Sequence, residues 1–434
     1  MPSDNASEKD VPERAGAVRP AGKARGARMT EPISGIGDRN PGVPATQPAG
    51  MKRPAQPERD SRRHCEQRDE IAGLLRQRLE ELRLRDEAAG RAAPRAVGPS
   101  RPRPGGPGFQ GWTPAGPAVD VVRLRENLVA RYRGRSISEA LRAEPVAGRR
   151  DLFESRSVVD ATVALPAADE ALRRLHGSLW LLPGVRATLA ARLARAGAGT
   201  LADLATHPRF GGDARRVSKL IDRRDAARLM GHVASRASRA HPLALALSAF
   251  FEAGDLLFLD IETMGLFGGS PIIMAGLARA VPGAGVEVRQ VVASTPAAEV
   301  ALVREVASAI GRHPALVTFN GRAFDLPYVA ARAAFYGTPV VADPVHFDLL
   351  GPSRRAWAGK TTDCRLDTLA REVLGMDRGE DVPGSLVPLF YKDFMEDPVG
   401  RVGLLAAIAD HNRADMEQMV RLFGVLVAWA EGAA

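Results

Sequence analysis

The second half of the chain alternates between two hydrophobic periods. Leu256-Leu257-Phe258-Leu259 is an unbroken apolar run that ends in Asp260-Ile261-Glu262, the pattern of a strand buried on both faces. Pro271 to Ala280 and Val286 to Ala293 read as two further strands, with turns at Gly268-Gly269 and Pro282-Gly283. Helical spacing follows from Ala297 to Ile310, then a β-rich stretch, Leu316-Val317-Thr318-Phe319, and a turn at Asn320-Gly321. Asp325 stands at the mouth of a helix running through Tyr336, with Leu326, Pro327 and Tyr328 assigned to core or helix start. A short strand is expected around Val345 to Leu349, and an apolar-striped helix from Leu404 to Val427 closes the pattern. Three consecutive strands and two crossovers predict an α/β fold, a mixed sheet with the first strand central and helices on both faces.

Upstream the texture changes twice. Residues 1–116 are rich in Pro, Gly, Ala and isolated charges, and Pro94 to Pro117 reads as linker, so a disordered arm is expected. Within the arm, Ile71, Leu74, Leu75, Leu79, Leu82 and Leu84 recur at helical spacing between Arg62 and Arg91. So short a stripe cannot be buried alone, which favours a transient solvated helix over a docking helix or coiled coil. Residues 117–250 are read as a small, basic, mostly helical domain, and 251–434 as the strand-rich domain. In the middle segment, Leu181-Leu182-Pro183-Gly184-Val185-Arg186 and the residues on to Ala205 resemble a helix-hairpin-helix module. The Pro-Gly turn and the helix start after it would offer backbone N–H groups to a phosphate. Arg186 stands where a second glycine is usual, and its side chain is able to reach phosphate instead. A plain helical bundle with a Gly turn fits equally, and Thr200 with Asp203 reads as an ordinary helix start.

The net charge of +9 is unevenly spread. Residues 117–250 carry about 23 basic against about 13 acidic side chains, and residues 251–434 about 16 against about 23. A basic neighbour beside an acidic domain suits capture of a polyanion, although an arginine-rich coding bias would leave the same imbalance. No apolar run is long enough to span a bilayer, and the amino terminus lacks the regions of a secretory signal, so a cytoplasmic protein with no membrane contact is expected. Cys65 and Cys364 are far apart, which supports neither a disulfide framework nor a thiolate zinc site and leaves two reduced thiols.

Candidate chemistry concentrates in the carboxylates. Asp260 and Glu262 project from one side of a strand while Ile261 points to the opposite layer. Two such anions repel unless a cation sits between them, although a strand running out into solvent leaves the same pair. Asp325, after its strand, stands as either a site residue at a sheet edge or a helix N-cap. His411 and Asp415 lie four apart on one helix face, a spacing also common to ordinary surface pairs.

Taken together, FLDIETMGL at 258–266, FNGRAFDLP at 319–327, HFDLLGPSRRAW at 346–357, CRLDTLAREVLG at 364–375, DVPGSLVPLFYKDF at 381–394 and HNRADM at 411–416 resemble the YprB-type ribonuclease-H-like domain. That domain belongs with the DEDD exonucleases of the ribonuclease-H-like superfamily. The resemblance covers most of residues 251–430 and implies a ribonuclease-H-like mixed sheet with flanking helices. It further implies a 3′–5′ exonuclease using two Mg2+ or Mn2+ ions on DNA or RNA and releasing 5′ nucleoside monophosphates from a 3′ end. Asp260 would bridge the ions, Glu262, Asp325 and Asp415 would complete their shells, and His411 would be the general base. His411 stands four residues before the last Asp, where the two variants of the group carry a His five before or a Tyr four before.

Weaker candidates are His346 and Asp348, which alternate on a strand, and Arg354, Arg355, Lys360 and Arg365 as phosphate contacts. Asp381 is read as a turn or cap residue. Two other functions stay open: a catalytically silent nucleic-acid-binding scaffold, and a structure-selective endonuclease on the same fold.

Overall fold

A computed structural model describes residues 120–432 apart from 266–268, 339–343 and 380. The proposed arm at 1–116, its helix at 62–91 and Cys65 lie outside the described residues.

Strands β1 (Ala143–Val146), β2 (Arg149–Val159), β3 (Leu256–Thr263), β4 (Ile272–Val281), β5 (Gly285–Ala293), β6 (Ala315–Thr318) and β7 (Val345–Asp348) form one sheet in the order β1-β2-β5-β4-β3-β6-β7. The pairs from β1 to β3 are antiparallel, and β3-β6 and β6-β7 are parallel. The mixed sheet with β3 in its interior is therefore present. Parallel pairing requires helical crossovers, and α8 (Glu299–Arg312) and α9 (Asp325–Phe335) supply them.

Strand alternation sorts the core into two layers. Leu257, Leu259 and Ile261 of β3 pack with Leu302, Val306 and Ile310 of α8 and with Val329 of α9. On the opposite face Phe258 meets Phe423 edge to face, their centroids 5.8 Å apart. Phe423 lies on α13 (Val402–Gly432), a long helix crossing the sheet. Its amino-terminal half buries Leu404, Leu405 and Ile408 against Leu124 and Leu128 of α1 (Val121–Arg131) and Leu141 of α2 (Ile137–Leu141).

Residues 143–159 fall within the segment read as mostly helical, yet they are two strands of the same sheet. β2 pairs with β5 in unbroken register from Leu152↔Ala293 to Val159↔Val286. The remainder of that segment is helical: α3 (Ala168–Gly177), α4 (Ala187–Arg195), α5 (Gly211–Asp222), α6 (Ala226–Arg236) and α7 (Pro242–Ala246). Leu175, Leu204, Val217 and Leu229 share one hydrophobic cluster with Phe258, Phe347 and Phe423, so 117–250 and 251–434 bury a common core. In the hairpin-like stretch, Gly184 has φ +78 and Pro183, Gly184 and Arg186 are exposed. Thr200 and Asp203 form the reciprocal contacts of a helix start, Thr200 N donating to Asp203 at 2.8 Å and Asp203 N to Thr200 Oγ1 at 3.2 Å. Only turns follow, not a helix.

Two further helices, α10 (Leu350–Trp357) and α11 (Leu366–Glu372), precede the loop to α12 (Val387–Glu396) and then α13. Among the described residues, no helix is long and apolar enough to cross a membrane.

Candidate active site

Asp260 and Glu262 leave β3 on the face covered by α13, as alternation requires. Opposite them in the sheet stand Gly276 and Met274 of β4. A Cβ at Gly276 would meet Met416 Cγ and Sδ at 2.8 and 2.9 Å and lie closer still to Asn412 Oδ1. The missing side chain lets α13 sit directly on the sheet. Asn412 then spans three strands: its Nδ2 donates to Asp260 Oδ2 at 2.8 Å, and its Oδ1 accepts from Gln290 Nε2 of β5 at 3.0 Å. Gln290 Nε2 also donates to the Ala409 carbonyl at 2.7 Å.

From the other side, β6 ends in a tight turn with Asn320 at φ 66, and α9 begins at Asp325, which is 3% exposed and whose Oδ1 accepts the Ile261 amide at 3.1 Å. The turn is held by Asp348, which accepts the amides of Asn320, Arg322 and Leu350 at 2.9, 3.0 and 3.1 Å. Asp348 thus aims Asp325 at the site. His346 is buried beside Thr318 Oγ1 at 2.8 Å, and burial with the Arg322 charge lowers its pKa to about 4, so it is a neutral packing residue. Arg354, Arg355, Lys360 and Arg365 are exposed.

α13 supplies His411 and Asp415. Ligand atoms of Glu262, His411 and Asp415 lie within 4.8 Å of one another, and the charges of Asp260, Glu262, Asp325 and Asp415 act on each other. Burial raises the Asp260 carboxyl well above its ordinary value, and repulsion from Asp415, Glu262 and Asp325 adds to it. Burial likewise lifts Glu262, 8% exposed, to about 8 and Asp325 to about 7.

Asp381 has a larger part than a turn residue. Besides capping the Val382 amide at 2.8 Å, it faces His411 Nδ1 at 2.9 Å and leaves Nε2 directed at Asp415, 3.4 Å away. Burial disfavours the charged imidazolium, but Asp381, Asp415 and Glu262 outweigh it and raise His411 to about 9. Arg378 contacts both Asp381, at 2.9 Å, and Asp415. Sequence reasoning missed Arg378, Asn412 and Gln290. Gly276 carried a usable signal, since a lone glycine inside an apolar strand marks close approach of another element.

Hard oxygen donors with raised proton affinity suit a divalent cation such as Mg2+ or Mn2+, and these residues fit one.

A mixed sheet with its central strand carrying an acidic pair, completed by a carboxylate after the next parallel strand and another on a terminal helix, is a ribonuclease-H-like domain. Residues 257–427 match the family model described as RNase_H superfamily. Over 177 residues the chain is 36% identical to YprB of Bacillus subtilis (strain 168), covering 40% of this chain and 42% of that protein. The strand-rich part accordingly has a ribonuclease-H-like fold and is similar to YprB over that span. The match spans less than half the length of the Bacillus relative. The family B DNA polymerase from the hyperthermophilic archaeon Pyrobaculum calidifontis is similar at 19% identity with a TM-score of 0.30, over 38% of this chain and 24% of that one.

Proposed function

We propose that this protein is a metal-dependent phosphodiester hydrolase acting on nucleic acid in the cytoplasm, a 3′–5′ exonuclease that releases 5′ nucleoside monophosphates. The observation that carries this reading is the gathering of Asp260, Glu262, Asp325 and Asp415 within reach of one another's charges, with Glu262, His411 and Asp415 within 4.8 Å of one another and the proton affinity of Asp260, Glu262 and Asp325 raised. Packing alone gives a fold no reason to gather mutually repelling carboxylates. Two bound Mg2+ or Mn2+ ions would supply activation of the attacking water and stabilisation of the departing oxygen.

The remaining work falls to the chain. Asp260, Glu262, Asp325 and Asp415 would hold the ions, their carboxylate oxygens supplying the hard donors such cations take. Asn412 holds one oxygen of Asp260 in place. Asp381 accepts a hydrogen bond from Nδ1–H of His411 and keeps that proton there, so that Nε2 is the nitrogen available to accept the proton of the attacking water. Neutralising Asp415 and Glu262 removes part of the field that keeps His411 protonated and brings its pKa down toward the range of a working base. The basic segment 117–250, including the exposed turn at Pro183-Gly184 and Arg186, holds the phosphates of the strand.

Purified protein with labelled single-stranded and duplex DNA and RNA, free or blocked at the 3′ end, tests the reading with and without magnesium. Stepwise, magnesium-dependent loss of mononucleotides from free 3′ ends is expected. Equal cleavage of blocked ends would make it an endonuclease. Binding without hydrolysis in both magnesium and manganese would make it a scaffold.

A further inference from the structure

Arg378 reaches from a loop into the carboxylate site. Its Nη1 donates to Asp381 Oδ2 at 2.9 Å and lies 3.4 Å from His411 Nδ1, and its Nη2 donates to Asp415 and to Gln418 Oε1. One guanidinium thus touches both the partner of the proposed base and a proposed metal ligand. Its side chain is only 10% exposed, yet its buried Nε has no hydrogen-bond partner. Arg332 in the same domain shows the alternative. That arginine sits within α9 and spends its donors on Glu299, at 2.6 and 2.5 Å, and on the Tyr336 hydroxyl.

We propose that Arg378 is a switching counter-ion: it holds Asp415 and Asp381 in the cation-free protein and turns to a phosphate oxygen of the substrate once divalent ions occupy the carboxylates. The inference rests on the hydrolase reading above. A doubly charged ion arriving on the same carboxylate weakens the hold of a guanidinium already bonded to it, because the two cations repel across a poorly solvated gap. The planar fork of an arginine then has a ready replacement in a phosphate, which it binds bidentately. The backbone allows the move. Arg378 lies on the loop between α11 and α12, bounded by Gly375 at φ 68 and Gly379 at φ 65, with Gly375, Asp377 and Gly379 exposed. A cavity of about 320 Å3 lined by Arg378, Asp381, Arg413 and Gln418 adjoins the side chain and leaves room to swing.

The test uses the full chain as wild type, Arg378→Gln and Arg378→Lys, with Mn2+ binding followed by the paramagnetic signal of the free ion. Single-turnover hydrolysis at saturating Mn2+ is measured alongside. With the competing cation gone, Arg378→Gln should bind Mn2+ at least about threefold more tightly, its metal-free melting temperature should fall, and its rate should drop by about thirtyfold or more. Arg378→Lys keeps the charge without the fork, so its Mn2+ affinity should stay near wild type while only part of the rate returns. Unchanged or weaker Mn2+ binding in Arg378→Gln overturns the inference, as does a wild-type rate in that variant. If Arg378→Gln does not fold, a wild-type rate in Arg378→Lys overturns it equally. Wild-type protein that neither binds Mn2+ nor hydrolyses any substrate removes the hydrolase reading and the inference together, whereas an active wild type with an indifferent Arg378→Gln removes the inference alone.

Discussion

Glu299 is fully buried, yet Arg332, the Tyr336 hydroxyl at 2.6 Å and the Ile272 amide at 2.8 Å all bind its carboxylate. Asp260 has Asn412, and its neighbours are other carboxylates. The carboxylate cluster has a pH signature. Asp260, Glu262 and Asp325 have folded pKa values above their ordinary ones, with Glu262 at about 8 and Asp325 at about 7. The native state therefore binds more protons than the unfolded state through that interval, and stability falls as pH rises from roughly 4 toward 8. His411, raised to about 9, acts in the same direction, since its stabilising charge is full below its ordinary pKa and lost as pH rises through the folded one. Calorimetry in chelator should show the melting temperature declining from pH 5 to pH 8.5, with magnesium restoring it at the upper end. A flat profile would mean that burial and mutual repulsion do not raise the proton affinity of these carboxylates. Asp260→Asn should abolish magnesium-dependent hydrolysis while its metal-free melting temperature at pH 8 stays level or rises. For His411→Ala, a loss of about a hundredfold or more in the single-turnover rate is expected, shrinking as pH rises. Rescue by excess metal instead would assign His411 to positioning Asp415.

At the scale of elements, the site is a problem of approach. α13 reaches Asp260 because Asp260, Gly276 and Gln290 lie side by side in β3, β4 and β5, and Gly276 leaves the gap that Asn412 and Met416 fill. Gly276→Ala forces backbone and helix apart. It should cost about 1–3 kcal/mol in a urea titration, in line with overpacking of a dense core. It should also weaken Mn2+ binding, since the helix carries Asp415. Unaltered metal affinity would show that α13 can shift without moving its carboxylate. The elements themselves were largely legible in the hydrophobic pattern: the strands at 272–281 and 285–293, the helix at 299–312 and the terminal helix all fall close to their predicted spans. The strands at 143–146 and 149–159 were not. Their outward positions carry Arg149, Arg150, Asp151 and Arg156, and a charged strand near a sheet edge has no hydrophobic signature from which to be read.

For the whole molecule, the consequence is that the segment 117–250 cannot be treated as a detachable handle. A chain beginning at Leu243 would lose the strand paired to β5 and the helices that cover Phe258 and Phe347. It should aggregate or melt far below the intact protein, as light scattering during a thermal ramp would show. A compact, active fragment would contradict the common core. The capture of nucleic acid is better probed by charge. Arg186, Arg192 and Arg195 are exposed around the Pro183-Gly184 turn and α4, and changing all three to Ala should leave the melting temperature unchanged. If each contacts a phosphate, the slope of log affinity against log salt for duplex DNA should fall by roughly 0.9 per contact. An unchanged slope would return the arginine surplus to composition.

What the sequence determined by itself was local and periodic. The alternation along Leu256–Thr263 put Asp260 and Glu262 on one face, the turn at Asn320-Gly321 delivered Asp325 to a helix start, and helical spacing placed His411 and Asp415 together. The family-like order of these segments then gave the fold. Tertiary structure alone decided the contacts between residues distant in the chain. Asp381 became the partner of His411, Asn412 the tether of Asp260, and Arg378 the counter-ion of Asp415, because β3, the loop after α11 and α13 meet at one point. A polar residue in a loop looks the same in sequence whether it faces water or a buried carboxylate. The difference appears only when folding removes the water and sets the price of leaving a charge unpaired.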